Sequence, residues 1–347
     1  MSLTQRKKDI LKYLIENFIE NAEPVSSQTI AESSNLGISP ATIRKEMNEL
    51  EELGYLTHPH ISAGRIPTDL GYRYYVDNIV FGEGGFKLNK QNQLVSIEIP
   101  SNKEMDLELI LQSAVNILFK FTNYVSMIIT PEIQKSKFKH MELIELTDNN
   151  YIFILITDSG RVFKERFSIE GDYSNLDMQR VKNILNFHLK DIYIHKISET
   201  NVLKLIENDS SLFFIIKRII QLIKNFEINE SDYNKIFIKG ALSILEDPDF
   251  IDVDNLKSLF WILEDEYLLK KILQNFSDSE DINVKIGKEI YGTYTDSLSL
   301  IASNYKLSEN SKGSIGILGP KRMDYLKVIS VLDTFRENLT KALHFNT

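Results

Sequence analysis

The residues of this chain best placed to do chemistry with a partner lie between Ser39 and Asn48. Ser39-Pro40 is a helix opening: a serine side chain caps free amides, and proline at the first helical position lacks only an N–H that had no partner anyway. At about 100° per residue, Ile43, Met47, Leu50 and Leu53 fall on one apolar stripe that should pack on preceding helices. Ala41, Lys45 and Asn48 then face outward, with Thr42 and Arg44 flanking them. Short side chains and cations occupy the N-terminal half, while Glu46, Glu49, Glu51 and Glu52 lie mostly further along. A helix that enters the major groove of DNA by its N-terminus has this gradient, and its first amides favour a phosphate. The same pattern also fits a solvated helical hairpin whose charges only keep the chain soluble.

The next residues separate the two readings. Gly54 ends the helix, as a glycine just past the last turn often does. Two short extended segments follow, Tyr55-Leu56-Thr57 and Arg65-Ile66-Pro67, on either side of the polar tip His58-Pro59-His60-Ile61-Ser62-Ala63-Gly64. A helix–turn–helix followed by a hairpin with a basic, glycine-containing tip is a winged helix. In that arrangement Arg65, with His58 and His60 nearby, reaches backbone phosphate or the adjacent minor groove. Two upstream helices supply the packing partners. One covers roughly residues 4–20 with Ile10, Leu11, Leu14, Ile15 and Phe18 on one face, and the other starts at Ser26-Ser27 and runs through Ala31. Thr68 caps a fourth helix containing Tyr74, Tyr75, Val76, Ile79 and Val80.

Net charge does not make this case. The chain has 347 residues and a formal charge of −9, and residues 1–75 hold eight Lys and Arg against ten Asp and Glu. Placement has to outweigh number: cations at the helix N-terminus and the wing, glutamates behind them. Other chemistries fare worse. With no cysteine there is no thiolate nucleophile, disulfide or Cys-based metal site. The six histidines show no HxxxH or HExxH spacing, and no phosphate-binding glycine loop or nucleophile elbow is present. No catalytic residue, metal or cofactor is expected. The start of the chain lacks a signal peptide's apolar run and no stretch is long enough to span a membrane, so a cytoplasmic protein is expected.

Beyond the glycine-rich run Gly82–Gly85, read as a hinge or linker, the pattern is β-rich, then α-rich, then β-rich. A helix near 105–121 precedes strands at 124–130, 140–146, 151–157 and 161–169. Helices are expected at 176–189, 210–226, 234–246 and 255–276, then strands at 282–286, 298–305 and 313–318 and a last helix over 321–343. An insertion into an α+β domain would produce this order. The expected division is a DNA-binding domain over 1–80, a linker over 81–104, and an α+β domain in two parts, 105–172 and 277–347, around an insert at 173–276. The 210–226 helix is apolar around most of its circumference, so it is buried on several sides. Phe213, Ile216, Ile220 and Ile223 then either meet a second subunit or form the insert's own core. A symmetric dimer suits a DNA reader, since it presents two recognition helices to an inverted repeat.

Several runs resemble the heat-inducible transcription repressor family HrcA. They are Ser39-Pro40-Ala41-Thr42-Ile43-Arg44-Lys45-Glu46-Met47, Leu50–Leu56, Gly64-Arg65-Ile66-Pro67-Thr68-Asp69 and Gly71–Asp77. Glu246–Phe250, Ile286-Gly287-Lys288-Glu289 and Gly316–Tyr325 continue the resemblance over nearly the whole chain. A departure lies at Lys239-Gly240-Ala241, where a paired glycine is expected. The resemblance implies an α+β multidomain protein: an N-terminal winged helix-turn-helix, then a GAF-like α+β domain interrupted by a mainly helical inserted dimerisation domain. It implies a homodimeric repressor of chaperone operons that binds an inverted-repeat operator on double-stranded DNA and is kept active by the GroEL chaperonin. Ser39, Ala41, Thr42, Arg44, Lys45, Asn48, His60 and Arg65 are the expected DNA-facing residues. The alternative is a winged-helix regulator controlled by a small metabolite in the GAF-like domain.

Overall fold

The computed structural model describes residues 3–34, 36–59, 64–82, 97–100, 106–132, 135–147, 149–171, 173–199, 202, 210–228, 234–246, 253–274, 281–307 and 311–344. His60, Ile61, Ser62 and Ala63 of the expected wing tip, residues 83–96 of the expected linker and residues 247–250 lie outside them.

The N-terminal unit folds as its residue pattern dictates. Helix α1 (Gln5–Asn21) buries Ile10, Leu11, Leu14 and Ile15, spaced along one face, and Thr4 caps it. Ser26 caps α2 (Ser27–Ser33), and Ser39 caps α3 (Pro40–Glu52) with proline in the first turn. Strands β1 (Leu56–Thr57) and β2 (Ile66–Pro67) pair antiparallel as the hairpin, and Val25 bridges to Arg65 as a further rung. Helix α4 (Asp69–Tyr75) is capped by Thr68 and runs on as a π-helical turn over Val76–Val80. Leu53 departs from expectation. It sits at the C-terminal cap of α3 and is 42% exposed, because the helix stops before the next turn would carry that position onto the core.

Two sheets follow. The larger has the order β7-β3-β10-β9-β8, with every neighbouring pair antiparallel. Its strands are β3 (Val125–Ile129), β7 (Ile236–Lys239), β8 (Asn283–Ile286), β9 (Leu298–Lys306) and β10 (Lys312–Pro320). Ile128, Ile301, Ile315 and Ile317 pack with α5 (Leu107–Thr122) and α10 (Tyr325–His344) on one face. Met127, Leu300 and Leu318 pack with α8 (Val253–Glu264) and α9 (Glu266–Gln274) on the other. With helices on both faces, β3, β9 and β10 need no polar alternation, which explains their almost unbroken burial.

The smaller sheet, β4 (Phe138–Thr147), β5 (Asn150–Thr157) and β6 (Val162–Ser168), is an antiparallel meander. Phe153, Leu155, Phe163 and Phe167 share a separate core with α6 (Asn175–Leu189) and α7 (Ser210–Ile228).

Three expectations change. The stretch expected as a helix over 234–246 holds β7, an edge strand on β3, then a 3-10 turn over Ser243–Glu246. Its β-branched run Ile236-Phe237-Ile238 fits the sheet edge. The helix expected over 255–276 is two helices, α9 being restarted by the Asp265 carboxylate, which accepts from the Leu268 amide at 2.9 Å. The insert is drawn differently as well: β4–β6 share a core with α6 and α7, while α8 and α9 pack on the larger sheet. Hydrophobic grouping therefore puts the insert at roughly residues 137–228 instead of 173–276, because β3 and β7 are paired neighbours and everything between them leaves and re-enters one sheet.

The expected dimer helix is α7. Ile216 and Ile223 are buried within the chain's own second core, and Phe213 and Ile220 are half-buried against it. The apolar circumference of this helix is thus covered by the 3-10 segment Ile194–Glu199, α6 and the inner face of the smaller sheet of the same chain. Ile216 and Ile223 are not available to a second subunit, and Phe214 is the exposed aromatic of this helix at 62%.

Candidate nucleic-acid interface

The outward face of α3 is the face the sequence predicts. Ser39, Ala41, Arg44, Lys45 and Asn48 are exposed and Thr42 is half-buried, while Ile43, Met47 and Leu50 are buried beneath them. Ser39 and Thr42 are also engaged locally: the Thr42 amide donates to Ser39 Oγ at 3.3 Å, and the two hydroxyls lie 3.0 Å apart. That cap fixes the first turn and aims it outward.

Three of the four acids of α3 are paired. Lys7 of α1 reaches Glu46 at 2.9 Å and Glu49 at 2.7 Å, and Arg6 adds a 3.6 Å contact to Glu46. Donating to Glu49 and Glu46 holds the Lys7 ammonium above the usual lysine value, and accepting from Lys7 holds the Glu49 carboxyl below the usual carboxylate range. Glu51 accepts from Arg65 at 2.8 Å. A helix with four glutamates therefore presents Arg44 and Lys45 outward while Glu46, Glu49 and Glu51 are paired on its flanks. The signs set a pH dependence. A raised lysine stabilises until pH climbs through its folded value, and a lowered glutamate stabilises until pH falls through its own, so the pair works between the two. The stability difference between wild type and Lys7→Met, followed by thermal unfolding, should persist at neutral pH and shrink as pH falls below the ordinary glutamate value of about 4.3; a difference undiminished at strongly acid pH would exclude the ion pair as its source.

Arg65 is placed differently from expectation. Its guanidinium is drawn inward, with Nη2 donating to Asn48 Oδ1 at 2.7 Å and Nη1 2.6 Å from His58 Nδ1. The backbone bridge from Val25 to Arg65 turns the side chain over α3, where Glu51 is the nearest counter-charge. Arg65 thereby ties the wing to the recognition helix. Between them lies a groove of about 510 Å³ lined by Ser26, Gln28, Arg44, Asn48, His58 and Arg65. The sequence reading missed Ser26 and Gln28, because only the Val25–Arg65 bridge brings the start of α2 to this groove. Gly64 permits that bridge: a Cβ there would lie 2.5 Å from Val25 backbone atoms. Among the described residues no group of three or more His, Asp or Glu is arranged to hold a metal.

The chain matches two family models. One, for the winged helix-turn-helix DNA-binding domain of the HrcA transcription repressor, covers residues 2–77, and the other, for the HrcA C-terminal domain, covers residues 108–329. It is 33% identical over 343 residues to the heat-inducible transcription repressor HrcA of Pelotomaculum thermopropionicum, covering 99% of this chain and 97% of the relative. The HrcA of Desulforamulus reducens is 33% identical over 343 residues, covering 99% and 98%. A solved structure titled as a hypothetical protein at 2.2 Å superposes with a TM-score of 0.64 at 24% identity over the full length of both chains, which supports the overall fold.

Proposed function

The chain belongs to the HrcA family of heat-inducible transcription repressors, and from that premise we propose that it represses chaperone operons by binding an inverted-repeat operator as a dimer. In this reading Ala41, Thr42, Arg44, Lys45 and Asn48 meet base edges and phosphates in the major groove, and Ser39 presents the first turn of α3. Arg65 braces the wing; the DNA contact expected of His60 lies outside the described residues. The observation that carries the reading is the exposed Arg44–Lys45 edge of a helix whose flanking glutamates are paired. GroEL keeps the repressor in its active form. No described helix is long and apolar enough to cross a membrane.

The inserted unit supplies the dimer contact through the open face of its sheet. Its inner face is covered by α6 and α7. On the outer face Ile152, Ile154 and Ile156 of β5 are half-buried, and Ile144 and Val162 are 46% and 49% exposed beside them. Glu142 stands opposite Ile154 on β4, and Lys164 stands opposite it on β6. A two-fold axis along the strands lays β4 of one sheet over β6 of the other and brings the two isoleucine rows together, with Glu142, already paired with Lys182 at 3.0 Å, facing Lys164 of the other copy. An Ile154→Asp variant should sediment as a monomer with normal helix and strand content. A variant that stays dimeric in analytical ultracentrifugation removes the sheet face as the contact, and Phe213→Asp with Ile220→Asp then tests α7.

Operator binding itself is tested by gel shift on an inverted repeat taken from the organism's own chaperone promoter, with and without GroEL. Retarded complexes that increase with the chaperonin support the reading; equal binding to unrelated DNA at 150 mM salt would remove it.

A further inference from the structure

Three of the sequence runs that carry the family resemblance make no part of the DNA-facing surface, and the fold brings them together at one place. Lys321, just after β10, donates to Asp69 at the start of α4 at 2.6 Å, with Asp296 also 3.8 Å away. Arg73 of α4 donates from Nε to Glu289 at 3.1 Å and from Nη2 to the Val284 carbonyl at 2.8 Å, and its Nη2 also contacts Glu289. Arg322 donates to the Ile19 carbonyl near the end of α1 at 3.3 Å. Gly287 makes room for this arrangement: its φ is +56°, and a Cβ there would lie 2.6 Å from the Asp69 carboxylate. Beneath the charges, Tyr72 and Tyr325 pack at a ring separation of 5.9 Å. The buried residues of α1, α3 and α4 form one continuous core with those of α5 and α10.

The winged helix is therefore seated on the larger sheet's unit by apolar contact and fixed by polar contacts at three points. Apolar burial is non-directional and tolerates small rotations. Directional polar contacts do not, and three of them, the ion pairs of Asp69 and Arg73 on α4 and the Arg322 hydrogen bond to the Ile19 carbonyl on α1, leave little freedom to turn. We infer that Asp69, Arg73, Glu289 and Lys321, with Arg322, are positioning residues for operator specificity. By holding each recognition helix at one angle to the rest of its subunit, they set the half-site spacing a dimer accepts. The inference rests on the proposed reading of a dimer on an inverted repeat and adds to it the element that measures the spacer. None of these side chains lines the DNA groove, so intrinsic half-site affinity is independent of them.

The test is a series of inverted repeats whose spacer is lengthened one base pair at a time through half a helical turn, about 5 bp, with a single half-site as control. Wild type should lose about 100-fold in affinity at the wrong spacing, the scale of bivalent advantage. The Lys321→Asp, Glu289→Arg double variant should bind the single half-site as wild type does but lose less than about tenfold across the series. Joining Asp69→Lys to Lys321→Asp should restore the wild-type profile. Should the charge reversals fail to fold, Lys321→Met and Glu289→Gln keep the side-chain size and should still broaden the profile. A folded variant with a spacer profile as sharp as wild type overturns the inference and leaves the operator reading standing. A wild type that binds paired and single half-sites alike overturns both.

Discussion

Replacing Arg44 and Lys45 together by alanine should abolish operator binding at physiological salt while leaving the fold intact. Both side chains are exposed on α3, and neither contributes to the buried stripe of Ile43, Met47 and Leu50. Each base-reading contact is worth about 1–3 kcal/mol, so the pair should cost between roughly 30-fold and about 20,000-fold in affinity. The loss also has a signature. A cation that touches phosphate contributes about one unit to the slope of log affinity against log salt, so the double variant should bind with a flatter slope as well as more weakly. Titration of labelled operator at several salt concentrations measures both. Unchanged affinity and slope would remove α3 as the recognition helix. The surrounding glutamates give a reason to expect a large effect: with Arg44 and Lys45 gone, α3 would keep the exposed Glu52 and three ion-paired glutamates but no cation of its own.

Gly71→Ala should have the largest effect on stability. Gly71 lies in the first turn of α4, its amide donating to the Thr68 cap at 3.1 Å. A Cβ at this position would sit 2.3 Å from the Tyr55 carbonyl oxygen. Both groups are backbone fixed by hydrogen bonds, the Tyr55 carbonyl accepting from the Thr68 amide at 3.1 Å, so neither can swing aside as a flexible side chain would. Overpacking of this kind costs typically 1–3 kcal/mol and occasionally more, and the rigid neighbour puts this case at about 3 kcal/mol or above. That is a large share of the 5–15 kcal/mol that holds a typical domain together. The wing and the α4 docking surface should be lost first, because Tyr55 and Thr68 flank β1 and β2. Chemical denaturation should show the midpoint moving well below wild type, with operator binding falling in parallel. A midpoint within experimental error of wild type would show that β1 and α4 can part at little cost.

Local chemistry made the DNA-binding unit readable before any coordinates. The caps at Ser26, Ser39 and Thr68, the proline opening α3 and the glycine closing it all act within a few residues, and each does in the structure what its residue type requires. The outward face of α3 follows from helical periodicity alone. Periodicity failed where burial comes from distant partners. The run Ile236-Phe237-Ile238 has no local preference strong enough to outweigh pairing with β3, and α7 looked like an interface because nothing in its own sequence shows that β5, β6 and α6 would cover it. Where the insert begins and ends depends on β3 and β7 pairing in one sheet, two segments more than a hundred residues apart.

The sequence by itself determined that this is a winged-helix protein, which face of α3 is turned outward, and which family the motifs resemble, because caps, helical spacing and turn residues are short-range and leave their mark on neighbouring positions. Only the tertiary structure decided the rest. It drew Arg65 inward onto Asn48 and Glu51, turned Lys7 against Glu46 and Glu49, and seated the winged helix on the larger sheet through Asp69, Arg73, Glu289 and Lys321. These are contacts between charges from different elements, and a charge finds its partner by position in space, which composition and periodicity do not encode.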